Sequence, residues 1–219
     1  FYGATHWQDL VFVSLGDASH QNRAKGGSTG GYLLGATTKA IMVGETVKVS
    51  ILAWKSCKLK RVSIGSNDSE VQSLVEAEDV LYKGRLMWAE LHGAQVEETN
   101  YTKRADAGVR SVQGMLVTDS KGGYDAMVLN ESAGLGLSNS RSAVQAFQLK
   151  ESLARDNTKI IWLAADWNLS DALTKARLEA RQSLMLFLRT WLWRFQFDPA
   201  FIVSAKKSKA ADKARNAMG

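Results

Sequence analysis

A single cysteine, Cys57, stands among 219 residues. No intrachain disulfide can form, and without a CxxC pair or a His/Cys cluster the sequence offers no zinc site. A reducing compartment fits, with Cys57 read as an inert residue near a strand. No window reaches the ~18 unbroken apolar residues of a membrane span, so no membrane partner is expected. The amino terminus, FYGATHWQDL, lacks an initiating Met and a basic-then-apolar leader. The chain reads as a piece cut from something longer, intracellular rather than secreted. Surplus positive charge is also scarce over most of the length. Of the net +6, +4 lies in residues 202–219, leaving +2 for the other 201. Charge alone therefore does not make this a nucleic-acid binder, and 200–219 reads as a basic, solvated, disordered tail.

What is present is a globular composition: 45% hydrophobic, 23% charged, seven Trp. The length suffices for one sizeable domain plus an appendage. DLVFVSLGDAS (9–19) is an apolar run that ends in a Gly-Asp turn. KGGSTGG (25–31) reads as a flexible turn, and GYLLGATTKAIMV (31–43) and VKVSILAWKS (47–56) as two more strands of an antiparallel meander. From 66 to 93 the period becomes helical, with Val71, Leu74, Val75, Leu81, Tyr82 and Trp88 on the apolar face. Asn67, Asp68 and Ser69 are its candidate N-caps and Gly93 its stop.

Residues 94–111 are polar and read as a loop. GMLVTD (114–119) is a fourth strand, 120–132 and 140–156 are helices, NTKIIWLAAD (157–166) is a fifth strand, and 168–176 a short helical segment. The expected fold is α/β: a mixed five-stranded sheet, three antiparallel strands followed by two parallel ones, with helices on both faces. Residues 1–176 form that domain. Residues 177–199 carry an apolar helix in which Leu184, Phe187, Leu188, Trp191, Leu192 and Phe195 share a face, stopped by Asp198-Pro199. No internal repeat is present.

Four carboxylates draw attention. Asp17 ends the first strand, Glu70 lies in the first turn of the long helix, Asp119 ends the fourth strand, and Asp171 sits in the short helix after the last. If the first and fourth strands are parallel neighbours, Asp17 and Asp119 stand side by side outside the carboxyl ends of the strands, where ligands bind in such sheets. Carboxylates so placed repel unless a cation bridges them, and Mg²⁺ suits oxygen ligands. Each also has an ordinary use: Asp119 as a helix N-cap, Asp17 as a turn aspartate, Glu70 as a partner of the helix dipole, Asp171 as an exposed helical residue.

The pattern resembles the ribonuclease H domain at the end of the polyprotein of copia-type LTR retrotransposons. LGDASH followed by GGSTGGYLLG matches that family's first strand and Gly-rich second. AWKSCKLKRVSIGSNDSEVQSL matches its Trp-Lys/Ser-rich strand and acidic helix start, with Asp68 and Glu70 on the two acids. VTDS matches the Asp-Asn or Asp-Ser pair, and LSDALTK (169–175) the Ala-Asp-Ile-Leu-Thr-Lys motif through Asp171 and Lys175. The resemblance covers about residues 9–176.

It implies a ribonuclease H-like fold, an upstream reverse transcriptase in the same polyprotein, and cleavage of the RNA strand of RNA–DNA hybrids. Asp17, Glu70, Asp119 and Asp171 would hold two Mg²⁺, with Mn²⁺ as a substitute. Two ions so held activate water and stabilise a leaving oxygen. Asp17, Glu70 and Asp119 would take one, Asp17 and Asp171 the other. Ser66, Asn67 and Gln72, flanking Glu70, are candidate donors to the 2′-hydroxyls of the hybrid, and the basic tail a source of phosphate affinity. The chain departs from the family where a Lys-His-Ile-Asp segment and a second His are usual: SRSAVQAFQLKES has no histidine, and His6, His20 and His92 lie elsewhere. SNDSE also replaces Ser-Thr-Glu-Ala-Glu. Two alternatives stand beside the nuclease: a catalytically decayed module that binds nucleic acid or packs on a reverse transcriptase, and a DNA-acting nuclease or integrase of the same fold, which would use three acids.

Overall fold

A computed structural model describes residues 9–92, 100–128, 137 and 139–195. Its five-stranded sheet is built from β1 (Leu10–Arg23), β2 (Gly27–Thr38), β4 (Ser50–Lys58), β5 (Gln113–Thr118) and β6 (Thr158–Trp162), in the order β4-β2-β1-β5-β6. β4, β2 and β1 run antiparallel; β1, β5 and β6 run parallel. This is the mixed sheet expected from the sequence, the architecture that the ribonuclease H resemblance implies. A two-residue strand, β3 (Val47–Lys48), pairs instead with β7 (Leu192–Trp193) in a small ribbon.

One face of the sheet is covered by α1 (Ser66–Leu91), with α3 (Lys121–Val128) and α4 (Ser140–Arg155) beside it. Val71, Leu74, Ala77, Leu81, Arg85 and Ala89 recur every three or four residues along α1 and are all buried, as a helix lying on a sheet requires. They meet Leu10, Phe12, Leu34, Ala36 and Leu116. The other face packs Val11, Val13, Leu15, Leu33, Met115 and Val117 against Leu163, Leu169, Phe187, Trp193 and Phe195. The segment after 176 thus contributes core side chains through α6 (Leu178–Thr190) and β7.

Several expectations are corrected. β1 does not end at Asp17; it continues paired with β2 to Ser19↔Thr29 and closes at Arg23↔Gly27, so KGGSTGG is mostly strand and only Ala24–Gly26 forms the tip. Residues 39–43 are a short 3-10 turn. The segment 94–111 is not all loop: α2 (Tyr101–Ser111) begins at Asn100, whose side chain accepts the Thr102 and Lys103 N–H groups.

The long helix has Gly65 as its N-cap. Asp68 sits at the third helical position, its Oδ2 accepting the N–H groups of Ile64 (3.2 Å) and Gly65 (3.0 Å). α6 stops at Thr190, where Trp191 turns left-handed (φ 58°) and reverses the chain into β7. Of its expected apolar face Phe187 is buried, while Leu188, Trp191 and Leu192 are exposed. Gly93, Asp198-Pro199 and the basic tail lie outside the described residues.

Candidate metal centre

Register brings the first two acids together. The last parallel pair between β1 and β5 is Leu15↔Val117. Two residues further along each chain stand Asp17 and Asp119, so the same register sets them opposite one another, on the same face of the sheet. There β1 has lost its neighbour β5 and is paired only with β2, opening the crevice at the carboxyl ends of the parallel strands. Asp17 is fully buried.

The third acid arrives on α5 (Asp171–Thr174), which lies on this face of β2. Gly31, the partner of Asp17 in β2, makes that approach possible. A Cβ at Gly31 would stand 2.9 Å from the Leu173 Cβ and 3.0 Å from the Thr174 Cγ2. Oxygens of Asp17, Asp119 and Asp171 all lie within 4.8 Å of one another.

Each of these carboxylates spends one oxygen on a neighbouring donor. Thr174 Oγ1 donates to Asp17 Oδ2. Asn168 Nδ2 donates to Asp119 Oδ1 at 2.9 Å, and Arg177 Nη2 to Asp171 Oδ2 at 3.2 Å. The second oxygens face the Lys175 ammonium: Nζ is 3.0 Å from Asp17 Oδ1, 2.5 Å from Asp171 Oδ1 and 4.0 Å from Asp119 Oδ2.

Glu70 adjoins this group from α1. As a residue it is half-buried, but its Oε2 is fully buried and has no hydrogen-bond partner, while the Ala18 N–H supports the carboxylate. The neighbouring Ser69 hydroxyl meets His20 Nδ1 at 3.1 Å, and Ser73 Oγ donates to the Asp17 carbonyl at 2.6 Å, tying α1 to β1.

The ordinary uses of these acids do not survive this geometry. Asp17 lies within a strand, not in a turn. The cap of α3 is made by Ser120, whose Oγ accepts the Gly123 N–H at 3.1 Å, leaving the Asp119 carboxylate uncommitted to it. Glu70 is the fifth residue of α1, past the first turn where Asp68 sits. Asp171 is buried.

The electrostatics follow from crowding. Burial, and then the Asp119 carboxylate, push the Asp17 carboxyl up to about 7 against the pull of Lys175. Glu70 is driven well above the ordinary glutamate range, by burial first and then by Asp17 and Asp119. Asp119 also rises, burial being the main cause, with Lys175 opposing and Asp171 adding. For Lys175, burial draws the ammonium down, but Asp17, the bond to Asp171 and Asp119 outweigh it and hold it above the ordinary lysine value. Four acids face one half-buried lysine and an exposed arginine. An all-oxygen donor set of this surplus charge, with an orphaned carboxylate oxygen beside it, fits a hard divalent ion.

The candidate substrate donors fall differently. Ser66 is exposed and Asn67 half-buried at the start of α1, with Asn67 packed on Gly122. Gln72 is buried and donates to Ser63 Oγ at 3.0 Å, so it braces the loop ahead of α1 rather than facing outward. Asn168 and Thr174, which orient two of the acids, were not singled out from the sequence. Their only signal is membership of the NLSDALTK segment.

No family model matches the sequence, and no curated protein matches it. Solved structures similar to the chain include a ribonuclease H1 isolated from compost by a metagenomic approach (11% identity, TM-score 0.44, 83% of this chain and 99% of that one). Another is the foamy viral protease–reverse transcriptase in complex with double-stranded DNA (16% identity, TM-score 0.37, 76% and 91% covered). A third is the foamy virus ribonuclease H domain in solution (12% identity, TM-score 0.38, 81% and 95% covered). All three are distant likenesses. No helix among the described residues is long and apolar enough to cross a membrane.

Proposed function

We propose that this chain is a divalent-metal-dependent nuclease of the ribonuclease H kind, cleaving the RNA strand of RNA–DNA hybrids within a copia-type retrotransposon polyprotein, next to its reverse transcriptase. The observation that carries the reading is the convergence of Asp17, Asp119 and Asp171 oxygens within 4.8 Å, with the buried, unpartnered Oε2 of Glu70 alongside. Hard oxygen ligands of this charge suit Mg²⁺, with Mn²⁺ able to substitute. Asp17, Glu70 and Asp119 would hold one ion, and Asp17 and Asp171 a second. Bound ions there would supply an activated water and neutralise charge on the leaving oxygen.

The chain's own contribution is placement. Thr174, Asn168 and Arg177 fix the outer oxygens of Asp17, Asp119 and Asp171, so the inner oxygens enter the site pre-oriented. Burial, and then the Asp119 carboxylate, raise the Asp17 carboxyl to about 7, so metal binding there would strengthen as pH rises through that value. Ser66 and Asn67, at the start of α1 near Glu70, would be the donors to 2′-hydroxyls in the hybrid's minor groove. Gln72 would act behind them, through Ser63.

A second reading has its own support. The Lys175 ammonium lies among the three inner oxygens, as it would in a decayed module whose lysine has permanently replaced the metal. The test is cleavage of a hybrid labelled separately on each strand, with Mg²⁺ or with EDTA. The nuclease reading expects metal-dependent cutting of the RNA strand alone. Failure of folded protein to cut in Mg²⁺ or Mn²⁺ would favour the decayed module, and cutting of the DNA strand the integrase-like alternative.

A further inference from the structure

The three inner oxygens point at one place, and a side chain of the protein already fills it. Asp17 Oδ1, Asp171 Oδ1 and Asp119 Oδ2 surround Lys175 Nζ at 3.0, 2.5 and 4.0 Å. Their partner oxygens are held by other donors, so the carboxylates keep their orientation whether or not the ammonium is there. The lysine, by contrast, is built to leave. Its backbone is fixed at the end of α5, where its N–H donates to the Asp171 carbonyl at 2.8 Å. The side chain reaches the oxygens on a flexible four-carbon stem and is 22% exposed. It can therefore swing outward without unfolding the short helix.

Resting on the metal reading above, we infer that Lys175 is a built-in competitor for this centre: its ammonium is the resident cation of the metal-free protein, and a divalent ion binds by displacing it. A monovalent point charge neutralises too little for four acids, which is why a divalent ion wins. Burying those acids with no counter-ion would be costly, which is why the lysine occupies the place when metal is scarce. The exchange sets a threshold metal concentration for the site. It also leaves a mobile cation at the rim of the loaded centre, within reach of a phosphate-bearing substrate.

The test is calorimetric titration of Mg²⁺ into the full chain as wild type, Lys175→Met and Lys175→Gln, together with thermal unfolding in EDTA. The variants should bind Mg²⁺ about tenfold or more tighter than wild type. They should also unfold at lower temperature in EDTA and recover that loss when Mg²⁺ is added. Equal affinities would overturn the competition and leave the metal site standing. No binding in any of the three would overturn both.

Lysine acetylation read by mass spectrometry gives an answer in the wild type, independent of how the variants fold. Lys175 should be protected in EDTA and labelled at Mg²⁺ concentrations that the titration shows to be saturating. Labelling that metal does not change would overturn the displacement.

Discussion

Two groups of buried charged side chains among the described residues behave oppositely. Around Arg85, beneath α1, the residue is 1% exposed, yet each of its three guanidinium nitrogens makes a hydrogen bond. Nε reaches the Val112 carbonyl at 2.7 Å, Nη1 the Thr158 hydroxyl at 2.6 Å and Nη2 the Asp156 carbonyl at 2.7 Å. It lies flat on β5 because residue 114 is glycine; a Cβ there would stand 2.6 Å from Nη1. Asp156 in turn is held by Arg155 at 3.0 Å, and Asp106 accepts from Tyr82 at 2.8 Å. Arg85 and Arg155 stand among Asp156, Asp106 and Glu78, a surplus of one acid.

Around Asp17 four acids crowd on Lys175 and the exposed Arg177, and one carboxylate oxygen, Oε2 of Glu70, has no partner. Buried charges that satisfy one another hold a fold together, whereas a buried surplus of one sign suits a ligand of the other.

Substitutions can break this contrast. The largest effect expected is on catalysis: Asp119→Asn should cut hybrid cleavage on the order of a hundredfold or more, since metal-borne charge stabilisation is worth several kcal/mol. Steady-state cleavage rates on the same hybrid check it. Next, Arg85→Met should lower unfolding free energy in urea by about 3–5 kcal/mol, because it strands buried acceptors around a lost charge. Cleavage by the remaining folded fraction should stay near wild type. Retained stability would show that the two groups are not different in kind.

A smaller loss is expected at Asn168→Ala, which frees Asp119 Oδ1. Metal affinity should fall about 10- to 100-fold, with the fold intact by circular dichroism.

The smallest expected effect sharpens the comparison through pH. Burial, then Asp156 and Asp79, push Glu78 up to about 7 from an ordinary 4.5. The folded state therefore holds this proton more tightly than the unfolded chain. The stability Glu78 contributes is complete below about pH 4.5 and is lost as pH rises through 7. Glu78→Gln should remove that decline, gaining about 1–3 kcal/mol at pH 8 over wild type and nothing at pH 4. Urea unfolding at both pH values decides it.

Much of this was legible in the chain, for identifiable reasons. The β1 and β5 runs are apolar because both faces of a central parallel pair are buried, and each meets an aspartate at the same register distance past its last pair. An apolar run that meets an aspartate is visible in the sequence, and it marks Asp17 and Asp119; their shared register is visible only in the paired sheet. Asp171 is legible as an acid in a short helix after the last strand, but its burial is not, because nothing in a four-residue helix announces an inward-facing acid.

The extension of β1 past Asp17 is hidden by its polar residues, ASHQNR, of which Ala18, Ser19 and Arg23 pair with β2. α2 was missed because only Ala105, Gly108 and Val109 are buried, and small side chains make a faint stripe. The end of α6 was hidden because Trp191, not a glycine, takes the left-handed turn. The roles of Lys175, Asn168 and Thr174 are invisible to spacing. They depend on how α5 lies over Gly31, a tertiary contact.

The central claim is that the acids around Asp17 are kept at a cost to the fold in order to hold metal. Thermal unfolding of wild type and Asp119→Asn, each in EDTA and in Mg²⁺, tests it most directly. The account predicts that the variant is at least as stable as wild type in EDTA, and that only wild type is clearly stabilised by Mg²⁺. A variant less stable than wild type in EDTA, with Mg²⁺ shifting neither protein, would contradict it and make this group structural, like the one around Arg85.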